Sequence, residues 1–257
     1  MEEKRLALEE GSITYLIDGK GPTVLFLHGG FAPPRAYIPF IELVAQHYTV
    51  IAPTHPGHGD SFPLPDPWRF EDYGSVYKHF FQALHLTSLP VISHSFGGAI
   101  AFFLAGEHLA ASLVAFDPVG LPVTVTPKQY VETLSHEAQD MFPEVVRRKQ
   151  LSKMLSATGN MLYSTMKHLE SIPWFETKAE RLDLRALLPT IDIPVHLFWG
   201  EEDHIAPVSI GEEMKKLLPH ATLTVFPGKG HAYIAIDPEF TYNEFMKIQG
   251  DHPRGAP

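Results

Sequence analysis

The chain predicts an α/β fold: a mostly parallel central sheet with helices on both faces and an inserted all-helical cap. Three observations carry this. From Thr23 to Phe116, short apolar runs alternate with stretches of helical periodicity. The rhythm breaks at Pro118, and from about Leu121 to Ala186 only helical patterns are found. Alternation then resumes at Val195 and ends in a final helix. The runs are continuous rather than alternating in polarity, as strands buried on both faces must be.

The elements follow in order. Residues 4–9 and 12–18 read as two strands joined by a turn at Glu10-Gly11, and Asp18-Gly19-Lys20-Gly21-Pro22 is a second turn. Thr23 to Leu27 is a short apolar run bounded by glycines, hence a buried strand. Ile38 to Gln46 repeats apolar residues at helical spacing, and Tyr48 to Ala52 is the next strand. Pro53 to Pro67, rich in Pro, Gly and Asp, is a loop. Phe70 to Leu86 is a helix, Leu89 to Ile92 a strand, Phe96 to His108 a helix and Ala111 to Phe116 a strand. After the insert come a strand at Val195 to Trp199, a helix at Ser209 to Leu218, a strand at Thr222 to Phe226 and a helix around Pro238 to Ile248. The Gly/Pro-rich tail Gln249 to Pro257 reads as disordered. This divides the chain into a core of residues 1–118 and 187–257 and a helical cap of 119–186, expected over the carboxyl edge of the sheet, where open α/β sheets bind ligands.

Bulk composition narrows the function classes. With 257 residues, 44% hydrophobic and 19% charged, the chain suits one large domain or a domain with an insertion. A net charge of −10 repels phosphate backbones and anionic membrane surfaces, so neither nucleic acid nor a membrane is an expected partner. The absence of cysteine excludes disulfides and thiolate metal sites. No apolar run approaches the ~20 residues of a membrane span. Met1-Glu2-Glu3-Lys4-Arg5 has no apolar region behind its charges, which argues against a secretory signal. A soluble cytoplasmic protein acting on a small molecule is the expectation, without cofactor or metal.

Chemistry-bearing residues gather at predicted strand ends. Val91 to Gly98 reads Val-Ile-Ser-His-Ser-Phe-Gly-Gly. Small residues two before and two after Ser95 permit a strained strand-to-helix turn that lifts its hydroxyl clear. Ser93 would need Val91 as its outer neighbour, and a β-branched residue does not fit there. His28-Gly29-Gly30-Phe31 follows the Thr23 strand; two glycines free backbone N–H groups to face a developing oxyanion, with Gly30 the first candidate and Phe31 the alternative. Phe96, next to the nucleophile at a helix start, offers the second N–H. Trp199 to Pro207 carries Glu201, Glu202 and Asp203. Asp203 is preferred as the acid because Ile205 and the helix start at Pro207 should hold it inward, while the two glutamates are solvated. Asp117, which also ends a strand, is the lesser alternative and reads as a turn residue leading to the cap. His231, between Gly230 and the last helix, can reach across the sheet edge as a base. The order nucleophile, acid, histidine, each after its own strand, binds Ser95, Asp203 and His231 into one set.

At these residues the chain resembles the α/β-hydrolase superfamily over nearly its whole length. The resemblance rests on Leu27 to Gly30, Pro56-Gly57-His58-Gly59-Asp60-Ser61, Ser93 to Gly98, Gly200 to Pro207 and Gly230-His231. It implies Ser95 as nucleophile, Asp203 as acid, His231 as base and the Gly30 and Phe96 amides as oxyanion hole. Three departures stand out. Ser93 replaces the usual glycine, Thr54-His55 stands where a strand-end aspartate is common, and Phe31-Ala32 replaces Pro-Gly, which disfavours an aminopeptidase-like member. His28 and His94 are expected as packing and hydrogen-bonding residues.

The cap holds four of the seven methionines. Methionine fills irregular apolar space adaptably. Phe31, Met141, Phe142, Met154, Met161 and Trp174 are the expected substrate-pocket residues, and the expected reaction is hydrolysis of a small to medium hydrophobic carboxylic ester through an acyl-enzyme. One scaffold hosts many chemistries, so a carbon–carbon bond hydrolase, a lyase, a cofactor-free perhydrolase and a non-catalytic ligand-binding member are the competing readings.

Overall fold

The computed structural model describes residues 1–65, 69–122, 151–169 and 182–250, the side chains of 151–158 and 249–250 excepted. Eight strands form one sheet: β1 (Glu2–Ala7), β2 (Ser12–Asp18), β3 (Thr23–Leu27), β4 (Thr49–Pro53), β5 (Leu89–His94), β6 (Ala110–Phe116), β7 (Val195–Gly200) and β8 (Ala221–Phe226). Their spatial order is β1-β2-β4-β3-β5-β6-β7-β8. β1 and β2 form an antiparallel hairpin, and β2 pairs antiparallel with β4; every other pairing is parallel. The helices are α1 (Ile38–Val44), α2 (Phe70–Ala83), α3 (Phe96–Gly106), α4 (Leu151–Lys167), α5 (Val208–Leu217), α6 (Tyr233–Ile236) and α7 (Pro238–Gly250). No helix among the described residues is long and apolar enough to cross a membrane.

Strand alternation sends successive side chains to opposite faces, and each face builds its own core. Leu25 and Leu27 join Tyr77, Phe80, Ile100, Phe102 and Trp199 beneath α2, α3 and α5. Val24 and Phe26 join Phe40, Phe116, Phe198 and Phe245 beneath α1 and α7. Each fully buried aromatic contributes about 1.5–3 kcal/mol. The parallel register then places the strand ends side by side: Leu27 pairs with Ser93, His94 with Phe116, and Phe116 with Phe198. Loops leaving these strands therefore converge on one edge.

The expected strands and helices are all found in the core, with ends shifted by up to three residues, the largest shift being the end of α2 at Ala83 rather than Leu86. α6 was not expected, because four residues are too few to display a helical period. Of the expected cap, residues 119–122, 151–169 and 182–186 are described, with α4 as its helix. Met141, Phe142 and Trp174, the side chain of Met154, and the tail from 251 lie outside the described residues.

Candidate active site

Ser95 stands between β5 and α3 with φ 50° and ψ −118°. Positive φ is costly for a residue with a Cβ and persists only where the surroundings enforce it. Here Ser95 N–H donates to Phe116 O at 2.9 Å, and Ser95 O accepts the N–H groups of Gly98 at 2.8 Å and Val119 at 3.1 Å. Gly97 brings the start of α3 against the end of β3: a Cβ there would press into the carbonyl oxygens of Leu27 and His28, the latter at 2.6 Å. Ser93 is fully buried, and its Oγ has no hydrogen-bond partner among the described residues.

Asp203 and His231 meet directly. His231 Nδ1 lies 2.7 Å from Asp203 Oδ2. The other carboxylate oxygen, Oδ1, accepts the N–H groups of Ile205 and Ala206, each at 2.8 Å. One oxygen is thus anchored by the chain just before α5, leaving the second to the imidazole. The sequence expectation had side-chain packing at Ile205 hold the acid inward; backbone amides of that loop do so. Both side chains are nearly inaccessible. Glu201 and Glu202 are exposed, as expected of a solvated loop.

Asp117 is fully buried, and its Oδ1 accepts Gly200 N–H at 2.8 Å. It ties the end of β6 to the end of β7 rather than turning outward toward the cap. Ser95 and His231 share an intermediary in His94, whose Nε2 lies 2.9 Å from His231 O and whose ring stands 4.9 Å from that of His231.

A family model described as the alpha/beta hydrolase family matches residues 24–244. The chain belongs to the alpha/beta hydrolase family. A pimeloyl-acyl-carrier-protein methyl ester esterase of Chromobacterium violaceum is 27% identical over 232 residues, spanning 83% of this chain and 89% of that protein. The magnesium-chelatase 30 kDa subunit of Rhodobacter capsulatus is 29% identical over 235 residues, spanning 82% and 81%. Among solved structures, the enol-lactonase of Burkholderia xenovorans LB400 superposes with a TM-score of 0.80 at 15% identity, covering 96% of this chain and 100% of that one. Relatives with such different names confirm one scaffold and leave the substrate to the site itself.

The loop after β3 carries Gly30 and Phe31, the two residues of that loop expected as oxyanion donors. Among the described residues Gly30 N–H has no partner, whereas Phe31 N–H donates to His58 Nε2 at 3.1 Å. Gly29 N–H donates to Tyr37 Oη at 3.2 Å, and a Cβ at Gly29 would sit 2.8 Å from His94 Nδ1. Phe31 itself has φ 60° and packs against the core. Met161 is 37% exposed on α4, beside the still more exposed Leu162 and Tyr163.

Beneath that loop lies a group of buried histidines whose tautomers are set by their partners. His28 Nδ1 donates to Gly29 O at 2.7 Å, and its Nε2 accepts His55 N–H at 2.9 Å. His55 Nε2 donates to His28 O at 2.9 Å, leaving Nδ1 to accept from the Tyr77 hydroxyl. Burial pushes His28 and His55 well below the usual imidazole range and lowers His58 to about 4. All three are neutral. Sequence reasoning assigned no role to Tyr37, His58, Ser164 or His168, although Ser164 and His168 are spaced i, i+4 across the end of α4.

Proposed function

We propose that the chain is a serine hydrolase that cleaves small to medium hydrophobic carboxylic esters through an acyl-enzyme. The observation that carries this reading is the Asp203–His231 pair, with Asp203 Oδ1 fixed by two amides, on the same sheet edge as a serine held at positive φ. Ser95 Oγ attacks the ester carbonyl carbon and its proton passes to His231 Nε2. The resulting imidazolium is stabilised through Nδ1–H by Asp203. Gly30 and Phe96 amides receive the charge on the tetrahedral oxygen. Collapse breaks the carbon–oxygen bond, and the departing alcohol takes the proton from His231. Water then adds to the acyl carbon, giving a proton to His231, and the acid leaves as that proton returns to Ser95.

The ester choice draws support from the relative named as an ester esterase. The preference for apolar substrates draws on the methionine-rich segment 119–186, which we take to be the cap, with Phe31, Met141, Phe142, Met154, Met161 and Trp174 as its pocket candidates. The test pairs a short-chain p-nitrophenyl ester with a fluorophosphonate probe. Wild type is expected to hydrolyse the ester and to be labelled on Ser95, and Ser95→Ala to do neither. Full turnover by the alanine variant sinks the reading; absence of labelling in wild type favours a binding protein.

A further inference from the structure

The last turn of α4 and His168, the residue directly after it, grip the Gly59 peptide from both sides. Gly59 N–H donates to Ser164 Oγ at 2.9 Å, and His168 Nε2 donates to Gly59 O at 3.0 Å. Both side chains are buried. One residue earlier, His58 Nδ1 donates to Pro56 O at 3.1 Å, which leaves Nε2 as an acceptor for Phe31 N–H. The same ring stacks on Phe96, with centroids 6.4 Å apart and planes inclined by 29°. A single imidazole therefore holds Phe31, the residue after one proposed oxyanion donor, Gly30, and stacks on Phe96, the other.

Phe31 has φ 60°, an uncommon conformation for a bulky residue. A hydrogen bond on its N–H fixes the peptide plane between Gly30 and Phe31 and so the course of the chain just past the Gly30 amide. Oxyanion donors act only when preplaced, and small misplacements are expensive. We propose that His58 is a positioning residue for the oxyanion hole and that α4, through Ser164 and His168 on Gly59, holds it in place. The inference rests on the serine-hydrolase reading above.

Two substitutions separate positioning from packing. His58→Asn keeps a donor for Pro56 O but is too short to reach Phe31 N–H. His58→Gln extends an amide oxygen to where Nε2 stood. The asparagine variant is expected to lose roughly 10- to 100-fold in kcat, with KM changed by less than about twofold. The glutamine variant recovers most of that loss. Labelling by the fluorophosphonate, whose phosphoryl oxygen occupies the oxyanion site, falls in parallel with kcat. His168→Leu, which releases Gly59 O, lowers kcat in the same direction.

The outcomes are distinguishable. If wild type neither cleaves the ester nor takes the label, the serine-hydrolase reading itself fails. If wild type is active and both His58 variants match it, positioning by His58 is overturned. Equal loss in both variants, tracking a lower Tm, assigns His58 to packing and overturns it too, as does a rise in KM alone. Unchanged kcat in His168→Leu removes α4 from the proposal.

Discussion

His94 Nε2 lies 2.9 Å from the carbonyl oxygen of His231, so the residue before the proposed nucleophile holds the backbone of the proposed base. The bond has a direction. Gly29 N–H donates to Tyr37 Oη, and the Tyr37 hydroxyl donates to His94 Nδ1 at 2.8 Å, which leaves the His94 proton on Nε2 for His231 O. One polar chain thus ties the loop after β3, the turn after β5 and the loop after β8. Burial, and His231 alongside, lower His94 to about 3 and keep it neutral.

Tyr37→Phe tests that chain. It keeps the ring, which packs against Phe26 at 5.2 Å, and removes only the hydroxyl. Gly29 N–H then loses its acceptor and His94 Nδ1 its donor, both in buried surroundings. A buried polar group left without a partner costs about 1–3 kcal/mol. The urea midpoint should fall accordingly, with ester turnover reduced but not abolished. An unchanged midpoint would show that the chain carries no stability.

Asp203→Asn and Asp117→Asn distinguish the two acids at this edge. In Asp203→Asn the amide oxygen stays on the Ile205 and Ala206 N–H groups, turning the NH2 toward His231 Nδ1. The imidazole is then forced into the tautomer that cannot accept a proton at Nε2. A kcat loss of about 10³–10⁴ with little change in Tm is expected. Asp117→Asn keeps an oxygen for Gly200 N–H and should cost about 1 kcal/mol of stability with turnover retained. Reversed phenotypes would move the acid to the end of β6.

What could be read in the sequence was what each residue does next to its own neighbours. Ser95, Asp203 and His231 follow strands and sit among small residues or helix starts, so their positions were legible; that one structure brings Asp203 to His231 was inferred from chain order alone. The supporting groups are different in kind. His58 acts on Phe31 across 27 residues, Tyr37 on His94 across 57, and Ser164 on Gly59 across 105. No local period marks such pairs, since the contact is made only once the sheet has aligned its ends. Asp117 shows the same limit: adjacent to Pro118 it reads as a turn, and only the β6–β7 register reveals Gly200 above it.

Ser93→Ala offers a contrast to Ser95→Ala. Ser93 Oγ is buried without a hydrogen-bond partner among the described residues, and it is two residues from the strained turn. Removing a hydroxyl that satisfies nothing is neutral or stabilising, by up to about 1 kcal/mol. The variant should therefore match or exceed wild type in Tm and keep its ester turnover. A clear loss of stability would mean that the hydroxyl has a partner after all, and loss of turnover would reopen the identity of the nucleophile.

Acid should unfold this protein through its buried histidines. His58 is lowered to about 4 and His94 to about 3, while His28 and His55 lie well below the ordinary 6.5, all chiefly by burial. In the unfolded chain these rings take up protons near pH 6.5. Between that pH and their folded values the unfolded state binds more protons, so stability rises with pH. The contribution is complete above about pH 6.5 and is lost as pH falls toward 4 and then 3. For His58 alone it is on the order of 3 kcal/mol. Each such ring adds about 1.4 kcal/mol per pH unit to the slope of unfolding free energy near pH 5. Urea unfolding followed from pH 7.5 to 4.5 should show a steep loss below pH 6.5, and His58→Gln should reduce the slope by about one proton. A flat profile between pH 6.5 and 5 would mean that these imidazoles are charged in the folded state, which their hydrogen-bond directions do not allow.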